Sequence, residues 1–561
     1  MPTSSRLFVL SVLLTLAGTA WAGWGADVDP ETGRTMLHDV QKDLLPMLRA
    51  DEAERAVRID KFVRRSAEGA IEALKRFRNP EFLDLFDALL DHRDWHVQHR
   101  ALLVLEHTWD PAAMPRAWAL LDSPEPRLRE KAAITCIRLF DGSRSAADVD
   151  ALLAREEDFY VREALLALKH RAEGTLPVER LGREVVVTVE GGLLLTPFLQ
   201  AFDRLDEVAP GSKPAQVRHV GQARRGRRQV ADRWVAPLLG YGEEEVVGAP
   251  LQPFGNLQAD GNVYHVGEDV GACLDGAGFY APAAGVVRMI QAGSDRGTVI
   301  VLEHELRSGK RVCSVLMHGG DTVFVEAGER VHAGQLLTSM GLSYSIENGG
   351  HFAHLHLGFY PGPFQVTRDQ GDQPVKDGLA DWYDPQEFLP AWIERTRPIV
   401  EVLRPLAPAL ASAAKRLARE EFGPAYGLTR KVLDEAGTDE AAKRDATWLL
   451  QELEDAPDRA GRRARAWRKA GFPGEALRVL ETYVTRCRGI PDVAALEETI
   501  AVWKEESGFQ KALKGEARVA AAEKKSARAK DPSRMRSTWE KLARAFGDTC
   551  LAPRIESQLV R

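Results

Sequence analysis

The sequence predicts a multidomain protein in which an all-β domain lies between two α-helical domains. Three observations support this fold class. Apolar residues recur at helical spacing from about residue 31 to 175, Gly, Pro and β-branched residues dominate from about 240 to 390, and helical spacing returns after about 395. We therefore divide the chain into an N-terminal helical domain (23–178), a strand-containing linker region (179–235), an all-β domain (236–395) and a C-terminal helical domain (396–561).

The first 22 residues are typical of a secretory signal peptide. Arg6 is followed by an apolar run that ends at Ala20, and the small residues Ala20 and Ala22 flank Trp21. The run is shorter than the ~20 apolar residues that a membrane-spanning helix needs, and no later stretch supplies one. We expect cleavage after Ala22, an exported protein in the periplasm or outside the cell, and no transmembrane segment after cleavage.

The composition of the 561 residues excludes several classes of protein. A hydrophobic share of 44% is enough to bury the cores of about three to four domains. Lys and Arg total 75 against 82 Asp and Glu, so the chain has no overall basic field and we expect no nucleic-acid partner. Five cysteines are too few for a disulfide scaffold, and Cys273 and Cys313 are either a pair within the all-β domain or two core thiols.

The N-terminal helical domain contains an internal repeat. The segments beginning at Leu89, Leu120 and Leu152 are similar and are separated by 31 and 32 residues. Each is followed by an acidic turn and a second helical segment, a pattern that resembles short HEAT-like repeats. One helix pair of this kind cannot bury its apolar face alone, so stacking must build the core and leave an extended surface. Such surfaces usually bind protein partners or act as spacers.

The two remaining helical and linker regions give weaker patterns. The linker region contains a predicted strand, 184–189, and a basic run, 224–228. In the C-terminal domain, the segments 472–477 and 509–513 resemble each other weakly. The C-terminal domain is therefore either a helical-hairpin array of tetratricopeptide type or an irregular helical bundle.

The all-β domain carries histidines in three places that suggest chemistry. His265 and Asp269 lie four residues apart among glycines, and imidazole and carboxylate groups are both good zinc ligands. His354 and His356 occupy alternate positions of a predicted strand, so both side chains lie on one face. His318 ends an apolar run.

Two histidines and one carboxylate would leave one position of a tetrahedral zinc ion open, as in catalytic rather than structural sites. Zinc lowers the pKa of a bound water to about 7, and further histidines can transfer protons or stabilise a developing oxyanion. The residues alone do not decide whether His354 or His356 is the ligand.

The ordered set His-x-Gly-x-Asp, a strand-ending His and His-Leu-His resembles the M23 family of zinc metallopeptidases, which includes the LytM and lysostaphin-like peptidoglycan endopeptidases. The resemblance covers about residues 245 to 390, and three further segments within this range support it: 280–287, 328–335 and 384–389. It differs from the family pattern at Leu316, where Tyr is common, and at Ala353, where Pro is common. Leu357 and Gly358 stand where the family often has Phe-Glu.

The resemblance implies that His265, Asp269 and His356 bind Zn²⁺ and that His318 and His354 are the catalytic histidines. It leaves His304 structural, and His332 and His351 are expected in loops. The implied function is an exported zinc endopeptidase that acts on peptidoglycan peptides, with protein partners on the helical repeats.

Two other functions are compatible with parts of the pattern. A non-catalytic LytM-type scaffold or regulator of cell-wall hydrolases would use the same domain for binding. A biotinyl or lipoyl carrier domain would have turns like those of 325–335, but the chain lacks a lysine at the expected hairpin tip, 338–341.

Overall fold

The computed structural model describes residues 90–93, 95–108, 111–180, 217–224, 229–241, 252–258, 261–271, 274–294, 296–341, 348, 351, 353–368, 371–435, 437–526 and 532–559. The predicted signal peptide, the predicted strand 184–189 and Cys273 lie outside these residues. Within them, no helix combines the length and the apolar character needed to cross a membrane.

The N-terminal domain consists of stacked helices. Its α-helices are α1 (Trp95–Thr108), α2 (Met114–Ala119), α3 (Pro126–Arg138), α4 (Ala146–Leu153) and α5 (Phe159–Ala172). Asp158 caps α5 by accepting hydrogen bonds from the amides of Tyr160 and Val161, and Ser145 and Asp148 form a capping box at the start of α4. The helices α1, α3 and α5 lie side by side. Equivalent repeat positions share one buried core: Ala101, Leu128, Ala132, Val161 and Leu165.

The central domain is built on a large antiparallel sheet. The strands are β1 (Glu179–Arg180), β2 (Val217–Val220), β3 (Val263–His265), β4 (Glu268–Val270), β5 (Gly278–Tyr280), β6 (Gly285–Ser294), β7 (Gly297–Glu305), β8 (Arg311–Val323), β9 (Arg330–Val331), β10 (Leu336–Met340), β11 (Leu355–Pro361) and β12 (Asp372–Pro374). The main order is β2-β6-β7-β8-β10-β5, with β9 on β6, β1 and β11 on β8, and β4 on β11. The strands β3 and β12 form a separate pair.

The strand β8 changes one of its neighbours half-way along. It pairs with β7 on one side and with β11 over Val312–Met317 on the other. From Gly319 onward, β10 pairs with β8 in place of β11, and at Thr322 and Val323 β1 pairs with the opposite edge of β8, beyond the end of its pairing with β7. His318 lies at this change, where the register against both β7 and β10 is also irregular.

Two described segments of the predicted linker region belong to the sheet, because β1 pairs with β8 and β2 pairs with β6. The N-terminal helices pack directly on the same sheet. Tyr280, Phe324 and Leu336 are members of the helical core rather than of the sheet's own core.

The C-terminal region is helical, as predicted. Its helices are α6 (Pro385–Thr396), α7 (Ala411–Leu417), α8 (Phe422–Asp434), α9 (Glu440–Glu454), α10 (Ala456–Lys469), α11 (Pro473–Arg486), α12 (Val493–Glu505), α13 (Ser507–Ser526), α14 (Arg536–Phe546) and α15 (Ala552–Leu559). The helix α6 packs on the sheet through Phe388 and Leu389. Its Trp392 lies 6.2 Å from Trp467 of α10, between ring centroids. Each later helix packs mainly on its neighbours in the chain, and the tetratricopeptide type remains a prediction.

Candidate metal centre

Three strands bring His265, Asp269 and His356 together. His265 ends β3, Asp269 is the middle residue of β4, and His356 lies directly opposite Asp269 in β11. Opposed residues of an antiparallel pair project side by side. The Nε2 atom of His265 lies 3.1 Å from Oδ1 of Asp269 and 2.9 Å from Nδ1 of His356, and that Nδ1 lies 3.0 Å from the same Oδ1. The three side chains thus present three donor atoms to one point.

The surroundings of each imidazole determine which nitrogen faces the cluster. Nδ1 of His265 donates a hydrogen bond to the carbonyl oxygen of Pro253 at 3.2 Å. The lone pair of Nε2 is therefore available to bind a metal ion. His356 is turned the other way. A Cβ atom added to Gly267 would lie 2.5 Å from Nε2 of His356, so the backbone packs tightly against that edge of the ring. Its Nδ1 edge is therefore the one that faces the cluster.

The electrostatics favour the metal-binding protonation state at Asp269 and His356, whereas His265 has to lose a proton that it holds more readily than usual. Burial alone would raise the pKa of Asp269, but its contacts with His265 and His356 outweigh that effect and hold the pKa well below the usual range. Burial lowers the pKa of His356, which keeps that imidazole neutral. Burial also disfavours the charged form of His265, but the Asp269 carboxylate more than offsets this and raises its pKa. An ionised carboxylate beside imidazoles is the form that binds a cation.

The donor set fits a transition metal such as zinc. Two imidazole nitrogens and one carboxylate oxygen are the ligands of many catalytic zinc sites, whereas Ca²⁺ and Mg²⁺ prefer oxygen alone. The three donor atoms lie within 4.8 Å of one another, and all three residues are buried.

His318 and His354 form a second pair beside this cluster. Their ring centroids are 4.2 Å apart, and Nε2 of His354 lies 3.6 Å from Oδ1 of Asp269. Burial and the neighbouring histidines lower the pKa of His318 well below its ordinary value. Nδ1 of His318 donates to the carbonyl oxygen of Asn348 at 3.2 Å, so Nε2 carries the free lone pair.

The backbone of His318 adopts a conformation that is uncommon for a residue with a Cβ atom. Its φ is 66°, in the left-handed region. The amide of His318 donates to the carbonyl oxygen of Arg296 at 2.9 Å, and its own carbonyl oxygen accepts from the amide of Gly341 at 2.8 Å. Between Leu316 and Gly319, β8 has one residue more than the facing part of β7, and the two hydrogen bonds hold this bulge in place.

The structure therefore brings together all five residues predicted for the site, and each is at most 6% exposed. His304 lies elsewhere, between the carbonyl oxygen of Ala284 and the hydroxyl of Ser314. His332 lies on the surface and pairs with Glu163 of α5.

Sequence reasoning missed two residues at the edge of the site. The exposed ring of His351 lies 4.8 Å from that of His318, between centroids, and Asn348 contacts His318 through its backbone. Asn348 also donates its side-chain amide to the carbonyl oxygen of His351 at 2.6 Å. The available signal was that both residues shortly precede His354 in the chain.

Comparison with known families agrees with this geometry. The model of peptidase family M23 matches residues 263–368, a span that contains all five site residues. The central domain is a peptidase family M23 domain. The model of HEAT repeats matches residues 64–138 and 82–169, which confirms the repeats N-terminal to the M23 domain. No curated protein and no solved structure gives a significant match to the chain. An M23 domain supports either a peptidase or a scaffold of M23 type, and members of the family are typically metal-dependent.

Proposed function

We propose that this chain is an exported, zinc-dependent endopeptidase that hydrolyses peptide bonds of cell-wall peptidoglycan. One observation carries the proposal: three metal-ligating side chains and two further histidines converge in one buried cluster of the M23 domain. A scaffold that only binds its partner would need neither His318 nor His354 beside the ligands. The signal-peptide pattern and the family resemblance support export and the peptidoglycan substrate.

His265, Asp269 and His356 would hold the zinc ion through Nε2, Oδ1 and Nδ1. Zinc bound there would supply a Lewis acid and a water whose pKa is lowered to about 7. The protein contributes the arrangement of the donors, because paired strands fix two of the three ligands in register.

The geometry of His318 suits it to accept a proton. Burial and the adjacent histidines disfavour its charged form, so the resting imidazole is neutral, although a weaker proton acceptor than a free histidine. Because Nδ1–H points at Asn348, the free lone pair lies on Nε2. A neutral histidine with one nitrogen anchored and the other free is the usual form of a general base.

His354 is suited to stabilise the negative charge that develops on a peptide carbonyl oxygen. Its ring lies between the Asp269 carboxylate and His318, so it is held in place from two sides. Donating a hydrogen bond from a fixed imidazole to a developing oxyanion lowers the barrier without reorganisation at the moment of reaction.

The first experiment measures bound zinc and hydrolysis by the purified full chain. Intact peptidoglycan is the substrate, and mass spectrometry identifies the released peptides. We expect His354→Ala to retain zinc and to lose about 10²- to 10⁴-fold in turnover, since proton transfer and oxyanion stabilisation contribute effects of that size. His332→Ala is the matched control, because it removes a surface histidine of the same domain outside the site.

Asp269→Ala should lose zinc and activity together, because the shared carboxylate contacts both ligand histidines. Zinc binding by the wild-type chain without any cleavage would contradict the endopeptidase and favour a scaffold. Normal turnover by His354→Ala would contradict the assigned mechanism.

A further inference from the structure

The N-terminal helices bury an arginine against the strand that carries His318. Arg138 is the last residue of α3, and its side chain is 1% exposed. One of its terminal nitrogens lies 3.6 Å from Oδ1 of Asp321, and the other donates to the hydroxyl of Ser339 at 3.1 Å. A planar guanidinium can contact two groups at once through its two terminal nitrogens, whereas a lysine ammonium has only one nitrogen.

Arg138 also lies 3.9 Å from Oε1 of the buried Glu106 in α1, but these two contacts in the sheet are on the strands at His318. Asp321 follows His318 by three residues in β8. Ser339 lies in β10, two residues before Gly341, whose amide donates to the carbonyl oxygen of His318. A Cβ atom added to Gly320 would lie 3.5 Å from the guanidinium, so Arg138 reaches the bulged segment itself.

The bulge needs such support. A residue with a Cβ atom that adopts positive φ carries a conformational cost, and it persists only where the surrounding structure holds it. The regular ladder is interrupted at this point, because the register of β8 shifts against both β7 and β10 near His318. The contacts of Arg138 with Asp321 and Ser339 join β8 to β10 here, where regular backbone hydrogen bonds between the two strands are interrupted.

We propose that Arg138 is a positioning residue for His318, so that the N-terminal helices fix the geometry of the histidine that accepts the proton. The catalytic part of this inference rests on the proposed endopeptidase function. The contacts of Arg138 with Asp321 and Ser339 involve the strands around His318 and not those of the metal ligands. Asp321 and Ser339 lie on β8 and β10, whereas the metal ligands lie on β3, β4 and β11.

The test replaces Arg138 in the full chain. We expect Arg138→Met to lower kcat about 10- to 100-fold, the effect of a small misplacement of a catalytic group, with KM and bound zinc unchanged. Arg138→Lys keeps the charge but loses the second terminal nitrogen, so it should lower kcat by a smaller factor. It also carries the test if the methionine variant does not fold.

The matched control is Arg129→Met. Arg129 lies on the same helix and makes two 2.8 Å hydrogen bonds to Glu156, which lies within the N-terminal helices. Its replacement should leave kcat unchanged. An equal loss of kcat in both variants would overturn the inference, because it would show a general effect of weakening the helices.

A double-mutant cycle tests whether Arg138 acts through His318. If it does, Arg138→Met should cause no further loss in a His318→Ala background. Additive losses of activity would overturn the inference.

Amide hydrogen exchange tests the positioning without using activity. Peptides covering β8 beyond Val315 and the segment 336–341 should exchange faster in Arg138→Met than in the wild type, and those covering β4 and β11 should not. This result would stand even if the wild-type chain failed to cleave peptidoglycan, which would contradict the proposed function alone. Faster exchange across the whole sheet would overturn the inference.

Discussion

The two helical flanks contact the rest of the chain with charged groups in opposite environments. On the N-terminal side, Glu106, Glu130 and Lys131 are each at most 2% exposed. Nζ of Lys131 lies 2.6 Å from Glu106 and donates to the carbonyl oxygen of Gly276 in the M23 domain. The carboxylate of Glu130 accepts from the hydroxyl of Tyr280 at 2.6 Å.

On the C-terminal side, the ion pairs to other regions are exposed or only partly buried; in the pair of Arg233 with Glu401 the side chains are 31% and 25% exposed. Arg404 pairs with Glu157 of the N-terminal helices at 2.8 Å, but the Glu157 side chain is 70% exposed. Lys310, in the turn between β7 and β8, is 53% exposed and lies 3.8 Å from Glu523. Stability on this side comes instead from aromatic packing of α6, with Phe388 and Trp392 against Trp234.

This contrast identifies the N-terminal flank as part of the protein's interior. A buried charge is tolerated only when its partners are in place, so the N-terminal helices and the sheet must form together. Exposed ion pairs contribute little and are screened by salt. In the described part of the chain, the C-terminal helices therefore pack on the M23 domain without sharing buried charges with it. The N-terminal helices are an integral part of its fold, because they share buried charges with the sheet.

Removing one partner of the buried ion pair on the N-terminal side should change the stability most. Lys131→Met leaves the Glu106 carboxylate buried without its closest cation, which should destabilise the chain by about 3 to 5 kcal/mol. Denaturant unfolding of the full chain measures the change. The double variant Lys131→Met with Glu106→Gln should recover most of the loss, because it removes both charges. A single variant as stable as the wild type would contradict an integral N-terminal flank.

A second prediction uses the titration of Glu130. Burial raises the pKa of Glu130 to about 7 although the Tyr280 hydroxyl acts in the opposite direction. The folded chain therefore holds a proton that the unfolded chain releases near its ordinary pKa of 4.5. This contribution to stability is complete below pH 4.5 and is lost as pH rises to about 7, on the order of 3 kcal/mol in total.

Glu130→Gln should remove that part of the pH dependence, because the amide oxygen can still accept from Tyr280 and stays neutral at every pH. The comparison is the unfolding free energy of the two proteins between pH 4.5 and 7.5. Parallel curves for the wild type and Glu130→Gln would show that Glu130 does not titrate across this range.

The smallest effect is expected at the exposed pair between the flanks. Glu157→Ala should change the unfolding free energy by less than about 1 kcal/mol, and added salt should reduce the difference further. A loss as large as that of Lys131→Met would remove the distinction between the two flanks.

Much of this architecture follows from the sequence, for physical reasons. Helical spacing decides which side chains face inward, and for this reason the repeat pattern identified core positions such as Leu128 and Val161. Alternation in the sequence placed His354 and His356 on one face, and His354 directly precedes β11 in the structure. The choice of His356 as ligand came from the family resemblance, and the structure turns its Nδ1 toward His265 at 2.9 Å.

Other features depend on contacts that local patterns do not encode. The left-handed backbone of His318 lies where β8 stops pairing with β11 and starts pairing with β10. The residue pattern within β8 does not predict this change of partner. Arg138 and Ser339 are 201 residues apart in the chain. In the sequence, Arg138 does not differ from other basic residues at helix ends. It is buried only because the N-terminal helices pack on the M23 domain.

The burial of Tyr280, Phe324 and Leu336 beneath the N-terminal helices has a practical consequence. A fragment cut at residue 236, or at the limits of the family match, would turn these three side chains into an apolar patch open to solvent. Such patches promote self-association. The segment that matches the M23 family model is thus shorter than the smallest piece that can be excised intact, which has to include the helices that cover these three side chains.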